Sequence, residues 1–346
     1  MKHNMTYRYA ALLALLSLLL SFGCTKEKGP GNGEGLATIR ITEPMLSGYT
    51  KALYTDSPET RINTLRIIVV PPSFGPDDCI ANVLFENDAL DNMIIENIPV
   101  GSVQIYAIAN EASMDKDYTD FSSFYNDIVH AGESGRKLLV TDKNREHFPK
   151  RGSEIDAAVG LPMSWSDKNV EILEPDASGA PQEIQVTLQR CVSKLRIIMN
   201  NTLTEEIKIT EMKFGAFFGD RFYLFWEENL DVPADIEYES KEYTGLDILD
   251  ITIPANSSQE LLLYLYPSHA RSGTQPGPYT IGFTTTGNHD PYPLRHFRDG
   301  AGNEMSWISR NTQVNINATL GAHANVSVDY YVAEWKNITI DIPSFN

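Results

Sequence analysis

Close to the end of the chain lies the segment Tyr331-Val332-Ala333-Glu334-Trp335-Lys336-Asn337-Ile338-Thr339-Ile340-Asp341-Ile342. Apolar and polar residues alternate strictly over its last five positions. Its last residues place Ile338, Ile340 and Ile342 on one face and Thr339 and Asp341 on the other. This is the pattern of a half-buried β-strand, because successive side chains of a strand point to opposite faces of the sheet. A strand at the end of a chain can close its own sheet, or it can fill a sheet of another molecule.

The other end of the chain carries a segment of the same kind, Ala37-Thr38-Ile39-Arg40-Ile41-Thr42. It places Ala37, Ile39 and Ile41 on one face, so it is also predicted to be a half-buried strand. We hypothesise that this strand and the C-terminal strand are alternative occupants of one groove. Under this hypothesis, subunits polymerise by exchanging one strand for the other.

Between these two segments, the chain is a succession of short apolar runs separated by turn residues rich in glycine, proline and asparagine. Strands are predicted at residues 62–70, 83–85, 93–98, 102–110, 161–165, 184–192, 194–199, 207–214, 221–225, 247–253, 260–266, 279–284 and 313–320. A short helix is predicted at 120–129, where Phe121, Phe124, Tyr125 and Ile128 recur at helical spacing. Many short strands with little helical periodicity predict an all-β protein made of two tandem β-sandwich domains.

The length of 346 residues is sufficient for two domains of ordinary size. A linker-like stretch at 175–181 contains two prolines, a glycine and a serine, and we place the domain boundary there. The predicted organisation is a signal peptide at 1–24, a tether and exchangeable N-terminal strand at 25–51, an N-terminal sandwich at 52–180 and a C-terminal sandwich at 181–346.

The composition restricts the possible functions. A formal net charge of −18 argues against nucleic acid as a partner. The three cysteines form no CxxC pair, so we predict no metal site and no cofactor. No nucleophile elbow and no H-E-x-x-H motif is present, and we predict that the protein is not an enzyme. Cys79 and Cys191 form either a disulfide or two separate thiols.

The first residues have the composition of an export signal. Lys2 and Arg8 precede an apolar run at 9–22 that is too short for a permanent membrane span. The run stops at Ser21-Phe22-Gly23-Cys24, which resembles a bacterial lipobox with Cys24 as the lipidated residue. The alternative is an ordinary signal peptide that leaves Cys24 unmodified.

Several short motifs together resemble the FimA-type fimbrial subunits of Bacteroidales, the lipoprotein-precursor pilins of the type V pilus. The motifs are Ile62-Asn63-Thr64-Leu65-Arg66-Ile67-Ile68-Val69-Val70, Ile98-Pro99-Val100-Gly101 followed by Tyr106-Ala107-Ile108-Ala109-Asn110, Leu161-Pro162-Met163-Ser164, Leu188-Gln189-Arg190-Cys191-Val192-Ser193-Lys194-Leu195 and Val332-Ala333-Glu334-Trp335. They are scattered over most of the chain after Cys24, and their order and spacing carry the resemblance more than any single motif does.

The resemblance implies transthyretin-like sandwiches and a location at the outer membrane, then in a fimbrium. It implies that a trypsin-like maturation protease cuts after a basic residue in the loop that follows the first strand. The cut releases the resident strand (Ala37, Ile39 and Ile41), and the donor strand (Ile338, Ile340 and Ile342) of another subunit fills the groove. Family spacing favours a cut after Lys51, with Arg61 as the second choice.

Other functions remain open at the level of the sequence. Within the family, the chain is a stalk subunit, an anchor or a tip protein; the C-terminal strand argues against a tip, and the basic residues of the loop favour a stalk. Outside the family, a surface lipoprotein that binds glycans is the main rival. Its aromatic platform would include Tyr223, Phe225 and Trp226, although this stretch is equally compatible with a core strand.

Overall fold

The computed structural model describes residues 35–42, 45–46, 57–128, 139–215, 218–225, 232–239, 242–244, 251–269, 279–286, 292–322 and 326–334. Strands dominate these residues, and the predicted helix is present as α1 (Phe121–Ile128). Short 3₁₀ turns lie at Asn87–Asp91, Glu111–Met114 and Gly152–Glu154. None of the helices in these ranges has the length and apolar character needed to cross a bilayer. The predicted all-β class is confirmed.

Short strands recur along the described residues, as predicted. Up to residue 190 they are β1 (Leu36–Ile41), β2 (Met45–Leu46), β3 (Thr64–Val70), β4 (Ala81–Glu86), β5 (Met93–Pro99), β6 (Gly101–Ala109), β7 (Leu139–Thr141), β8 (Lys150–Arg151), β9 (Met163–Ile172), β10 (Gln182–Ile184) and β11 (Thr187–Arg190). After residue 190 they are β12 (Ser193–Asn201), β13 (Ile207–Phe214), β14 (Phe218–Gly219), β15 (Arg221–Tyr223), β16 (Tyr238–Glu239), β17 (Glu242–Thr244), β18 (Ile251–Ile253), β19 (Ser258–Leu265), β20 (Ser268–His269), β21 (Thr280–Thr286), β22 (Tyr292–His296), β23 (Trp307–Ile308), β24 (Thr312–Leu320) and β25 (Val326–Glu334).

The N-terminal sandwich pairs a three-stranded sheet with a six-stranded sheet. The strand order is β10-β1-β5 in the smaller sheet and β2-β11-β9-β6-β3-β4 in the larger one. Apolar side chains from both sheets form one core, which includes Ile39, Ile67, Ile98, Ile105 and Leu188. The alternating residues of these strands thus fill the space between two facing sheets, as in other sandwiches.

Within the larger sheet, β3 is buried on both faces. Every residue of β3 from Leu65 to Val70 is buried. Leu65 and Val69 face the sandwich core, whereas Ile68 and Val70 face a second apolar cluster on the other side of the sheet. This burial explains why β3 is a continuous apolar run interrupted by a single charged residue, Arg66, because a strand covered on both faces does not alternate with polar residues.

The C-terminal sandwich is built from two five-stranded sheets. One has the order β25-β24-β12-β19-β8, and the other has the order β17-β13-β21-β22 with β18 also paired to β13. Their facing side chains form a separate core that includes Ile197, Ile209, Leu263, Phe283 and Ile316. Within the first sheet, β12 is parallel to β24 and antiparallel to β19.

A third apolar cluster joins the two sandwiches. It combines Tyr106 and Ile108 of β6 with Phe124 of α1 and, from the second half of the chain, Phe225 and Tyr266. The rings of Tyr106 and Phe225 have centroids 4.9 Å apart. Aromatic side chains bury large areas, so this cluster is a substantial apolar contact between the two halves.

Strand pairing crosses the predicted domain boundary in both directions. The strands β10 and β11 follow residue 180, yet they pair with β1 and with β2 and β9 in the N-terminal sandwich. Conversely, β7 and β8 precede residue 180 and pair with β15 and β19. The division into 52–180 and 181–346 stays a prediction, and the segment Gln182–Arg190 belongs by its pairing to the N-terminal sheets.

The two cysteines that lie in the described residues are separate thiols. Cys191 is buried and Cys79 is partly buried. The Cys191 sulfur lies 3.3 Å from a guanidinium nitrogen of Arg310, but burial dominates and raises the pKa of the Cys191 thiol. Of the two alternatives in the sequence, the structure therefore has two separate thiols and no disulfide between Cys79 and Cys191.

A buried ion pair lies at the charged position of β3. Arg66 Nη2 and Nε donate to the two carboxylate oxygens of Glu111 at 2.7 and 2.8 Å. The side chains of Arg66 and Glu111 are 3% and 8% exposed. A planar guanidinium satisfied in this bidentate way is tolerated in a low-dielectric interior, whereas a lone charge is not.

We expect Glu111→Gln to lower the free energy of unfolding by about 3 kcal/mol, because it removes the buried carboxylate of the pair. The remaining acidic neighbour of Arg66, Asp117 at 3.5 Å, is largely exposed and compensates the charge only weakly. The matched control is Glu260→Gln, which breaks the cross-strand pair of Arg196 and Glu260, whose side chains are 34% and 39% exposed. That change is expected to cost less than about 1 kcal/mol. Urea unfolding of the two variants measures the difference, and equal losses would contradict this account.

Candidate functional site: the slot of the first strand

The first strand lies in the middle of its sheet, not at an edge. β1 pairs antiparallel with β5, with Ile39 opposite Ile95 and Ile41 opposite Met93. On its other side β1 pairs in parallel with β10, with Ile39 opposite Gln182 and Ile41 opposite Ile184. Both edges of β1 therefore hold neighbouring strands, and β1 fills a slot between β5 and β10.

The inward side chains of β1 form part of the sandwich core. The exposed fractions of Ala37, Ile39 and Ile41 are 4%, 0% and 2%. Between them, Arg40 is exposed. The predicted resident strand is thus a buried strand with the predicted inward face, and whether it is exchangeable stays a prediction.

The chain after β1 continues along the same neighbouring segment. The Thr42 amide donates to the Ile184 carbonyl at 3.0 Å, and then β2 pairs in parallel with β11, with Met45 opposite Thr187. Residues 36–42 lie beside 182–184 in the three-stranded sheet, and residues 45–46 lie beside 187–188 in the six-stranded sheet. Departure of the segment 36–46 would uncover an edge in both sheets of the sandwich.

The slot can hold one extended strand that has apolar residues at alternate positions. Without β1, the facing edges of β5 and β10 would present unpaired amides and carbonyls above an apolar floor. Buried backbone groups without partners cost about as much as a lost hydrogen bond each, and exposed apolar surface adds to this cost. A second strand with apolar residues at alternate positions satisfies both requirements.

The two candidate cleavage residues differ in placement. Arg61 is exposed, but its amide donates to the Ser57 carbonyl at 3.0 Å, and its carbonyl accepts from Asn110 Nδ2 at 2.9 Å. Lys51 and the lipidation candidate Cys24 lie outside the described residues. The preference for Lys51 over Arg61 stays a prediction.

The C-terminal segment is described only in its first part. Tyr331–Glu334 belong to β25, an edge strand that pairs antiparallel with β24. The donor-strand residues Ile338, Ile340 and Ile342 lie outside the described residues. The sequence analysis missed the first half of β25, although Val326-Ser327-Val328-Asp329-Tyr330 alternates as clearly as the segments that were identified.

Two of the three aromatic residues proposed for a glycan platform lie in the interior. Tyr223 and Phe225 are 6% and 7% exposed, and the neighbouring Phe222 stacks on Tyr266 with ring centroids 4.2 Å apart. Trp226 lies outside the described residues. The described part of this stretch is therefore core, and it does not form an exposed platform. Among all the residues that the structure describes, no group of acidic, histidine and cysteine side chains has the arrangement of a metal site.

The sequence analysis also missed one wall of the slot. Gln182–Ile184 was assigned to the second domain, although it pairs with β1. The available signal was the alternation of Ile184, Val186 and Leu188, all of which are buried in the same core as β1. Sequence alone gave no indication that this alternation continues the first sandwich.

Known proteins share this fold at low sequence identity. No protein-family model matches the chain, and no curated protein sequence matches it. Among solved structures, the tip fimbrial protein Mfa3 from Porphyromonas gingivalis, with a C-terminal truncation, superposes with a TM-score of 0.53 at 14% identity, covering 87% of this chain and 98% of that one. A candidate cell adhesion protein from Bacteroides eggerthii gives a TM-score of 0.53 at 14% identity, covering 90% and 98%. The fold expected from the sequence resemblance is confirmed.

We expect Ile39→Ala to lower the free energy of unfolding by about 2–5 kcal/mol, because it leaves a cavity under β1 where the core is closed. Arg40→Ala, on the exposed face of the same strand, is the matched control and should change stability by less than about 0.5 kcal/mol. Urea unfolding followed by tryptophan fluorescence measures both. Equal stabilities of the two variants would show that β1 is not part of the cooperative core.

Proposed function

We propose that this protein is a structural, non-enzymatic subunit of a cell-surface fimbria that polymerises by donor-strand exchange and supports adhesion. The observation that carries the proposal is the position of β1 between β5 and β10, with Ala37, Ile39 and Ile41 buried. A terminal segment that occupies the middle of a sheet can be replaced by another strand without rebuilding the rest of the sandwich. The shared fold with a tip fimbrial protein supports the same reading.

The energetics of the exchange favour a durable joint. Burial of Ile338, Ile340 and Ile342 contributes on the order of 5–9 kcal/mol before the entropy of ordering the strand is subtracted. Main-chain hydrogen bonds to both walls of the slot add to this, as in other cases of strand addition. Dissociation requires the whole strand to leave, so the joint would be kinetically stable as well.

The proposed maturation pathway begins with export as a lipoprotein. The signal peptide 1–24 directs export, Cys24 receives the lipid, including palmitate, and the precursor is held at the outer membrane. A maturation protease then cuts after Lys51 or Arg61, which frees the tether and β1. The mature chain leaves the lipid behind and joins the fimbrium.

The partners in this proposal are other fimbrial subunits, as a homopolymer or a mixed pilus. We favour a stalk subunit, because a stalk subunit needs both a removable first strand and a free donor strand. An anchor would keep β1 and its lipid. A tip would lack the need for Ile338, Ile340 and Ile342.

The proposal is tested on the precursor carrying Cys24→Ser, treated briefly with trypsin and examined by electrophoresis in SDS without boiling. We expect SDS-resistant ladders from the cut protein. Ile340→Asp should abolish the ladders, because it places a charge on the apolar face of the donor strand. Thr339→Asp is the matched control, since the same side chain then lies on the opposite face, and it should leave the ladders intact.

Different outcomes separate the alternatives. Clean cutting without any ladder would overturn the stalk assignment and leave an anchor or a tip. Ladders that form equally well with Ile340→Asp would show that the C-terminal segment is not the donor. Resistance of the loop to trypsin would mean that β1 is permanent, and strand exchange would be excluded.

A further inference from the structure

A short turn between the first strand and the body of the protein is tied to both sandwiches. In Ser57–Arg61, the amides of Thr60 and Arg61 donate to the Ser57 carbonyl at 2.9 and 3.0 Å. The Glu59 amide donates to Ser57 Oγ at 3.3 Å. Despite their polarity, Glu59 and Thr60 are only 9% and 0% exposed. Burial of polar residues in a turn is uncommon and indicates specific partners.

On one side, this turn is bound to the C-terminal sandwich. Lys194 Nζ donates to Glu59 Oε1 at 2.7 Å, and the Tyr264 hydroxyl donates to the same oxygen. Lys194 and Tyr264 are paired residues on β12 and β19, so their side chains approach Glu59 from the same face of the sheet. A further contact comes from β11, which belongs by its pairing to the N-terminal sheets: Arg190 Nε donates to the Glu59 carbonyl at 2.7 Å.

On the other side, the turn is bound to the N-terminal sandwich through Asn110. Its Nδ2 donates to the carbonyls of Arg61 and Leu161 at 2.9 and 2.8 Å, while its Oδ1 accepts from the Asn63 amide at 2.9 Å. Asn110 is 1% exposed and has a left-handed backbone with φ of 58°. Asparagine tolerates this conformation better than most residues, so the position suits the side chain it carries.

A protease needs several residues around the cut bond in an extended, unpaired form. The carbonyl of the bond after Arg61 is held by Asn110, and the residues before it are held by Glu59 and Ser57. Cleavage there requires local opening of the turn, so its rate depends on the population of the opened state. Cleavage after Arg61 would also detach Glu59 from Arg190, Lys194 and Tyr264.

We propose that Ser57–Arg61 is a clasp that the mature subunit keeps, and that the maturation cut therefore falls before Ser57 and not after Arg61. This inference rests on the proposed function and deepens it. Lys51 is the basic residue between β1 and the clasp. The clasp ends the removable segment: the chain before Ser57 can leave with β1, while the chain from Ser57 onward holds the two sandwiches together.

The test uses the precursor carrying Cys24→Ser, limited trypsin treatment and N-terminal sequencing with intact mass. We expect the new N-terminus to be Ala52, with no product that begins at Ile62. Lys51→Gln should stop this cut without diverting it to Arg61. Arg61→Gln should give the same cleavage rate as the unaltered precursor. A product that begins at Ile62 in the unaltered precursor, or the lack of any cut before Ser57, would overturn the inference.

The clasp itself is tested by weakening it. Glu59→Gln should accelerate cleavage after Arg61 by about 10- to 100-fold, the factor expected when hydrogen bonds to a charged group are lost. Tyr264→Phe removes a single hydroxyl and should accelerate the same cleavage by about 3- to 10-fold without endangering the fold. Glu96→Gln, at an exposed position of β5, is the matched control and should have no effect. Equal rates for all four proteins would overturn the clasp.

The outcomes distinguish this inference from the proposed function. An N-terminus at Ala52 without SDS-resistant ladders would support the clasp and contradict the fimbrial stalk. Ladders built from chains that begin at Ile62 would support the fimbrial subunit and overturn the clasp.

Discussion

Backbone pairing along both edges of β1 is the constraint on which the rest of this structure depends. Because β5 and β10 each pair with β1, the smaller sheet of the N-terminal sandwich exists only while a strand lies between them. The apolar face of that strand also closes the core under it. A backbone with buried donors and acceptors must be paired, so the slot always needs an occupant. Replacement of β1 by another strand would satisfy this requirement, whereas simple loss of β1 would not.

The junction between the sandwiches is held by a different kind of contact. Here buried guanidinium groups bind carbonyl oxygens: Arg310 donates to the carbonyls of Leu224 and Arg190 at 2.9 and 3.1 Å, and Arg190 binds Glu59 and Asn311. A guanidinium has five donors in a fixed plane, so it can join several segments at once. Together with the aromatic cluster around Tyr106, these contacts join segments that are far apart in the chain.

Sequence reasoning was most successful where one periodicity decides the result. The alternation in 37–42 predicted both the strand and its buried face, and the spacing of Phe121, Phe124 and Tyr125 predicted α1. It was weaker in β3 and at the domain boundary. The apolar run of β3 predicts a strand, but it does not say that a second core covers the other face. The proline- and glycine-containing stretch before Gln182 resembles a linker, although the strands after it return to the first sandwich.

The sequence by itself determined the all-β class, the position of most strands and the inward face of the first one, because these follow from local alternation and turn residues. Only the tertiary structure decided that β1 lies between β5 and β10, that Gln182–Ile184 forms a wall of its slot and that Glu59 meets Lys194 and Tyr264. These are contacts between residues 52 to 205 positions apart in the chain. Local periodicity contains no information on such pairings, since they depend on how the sheets stack and on which polar groups must find partners when water is excluded.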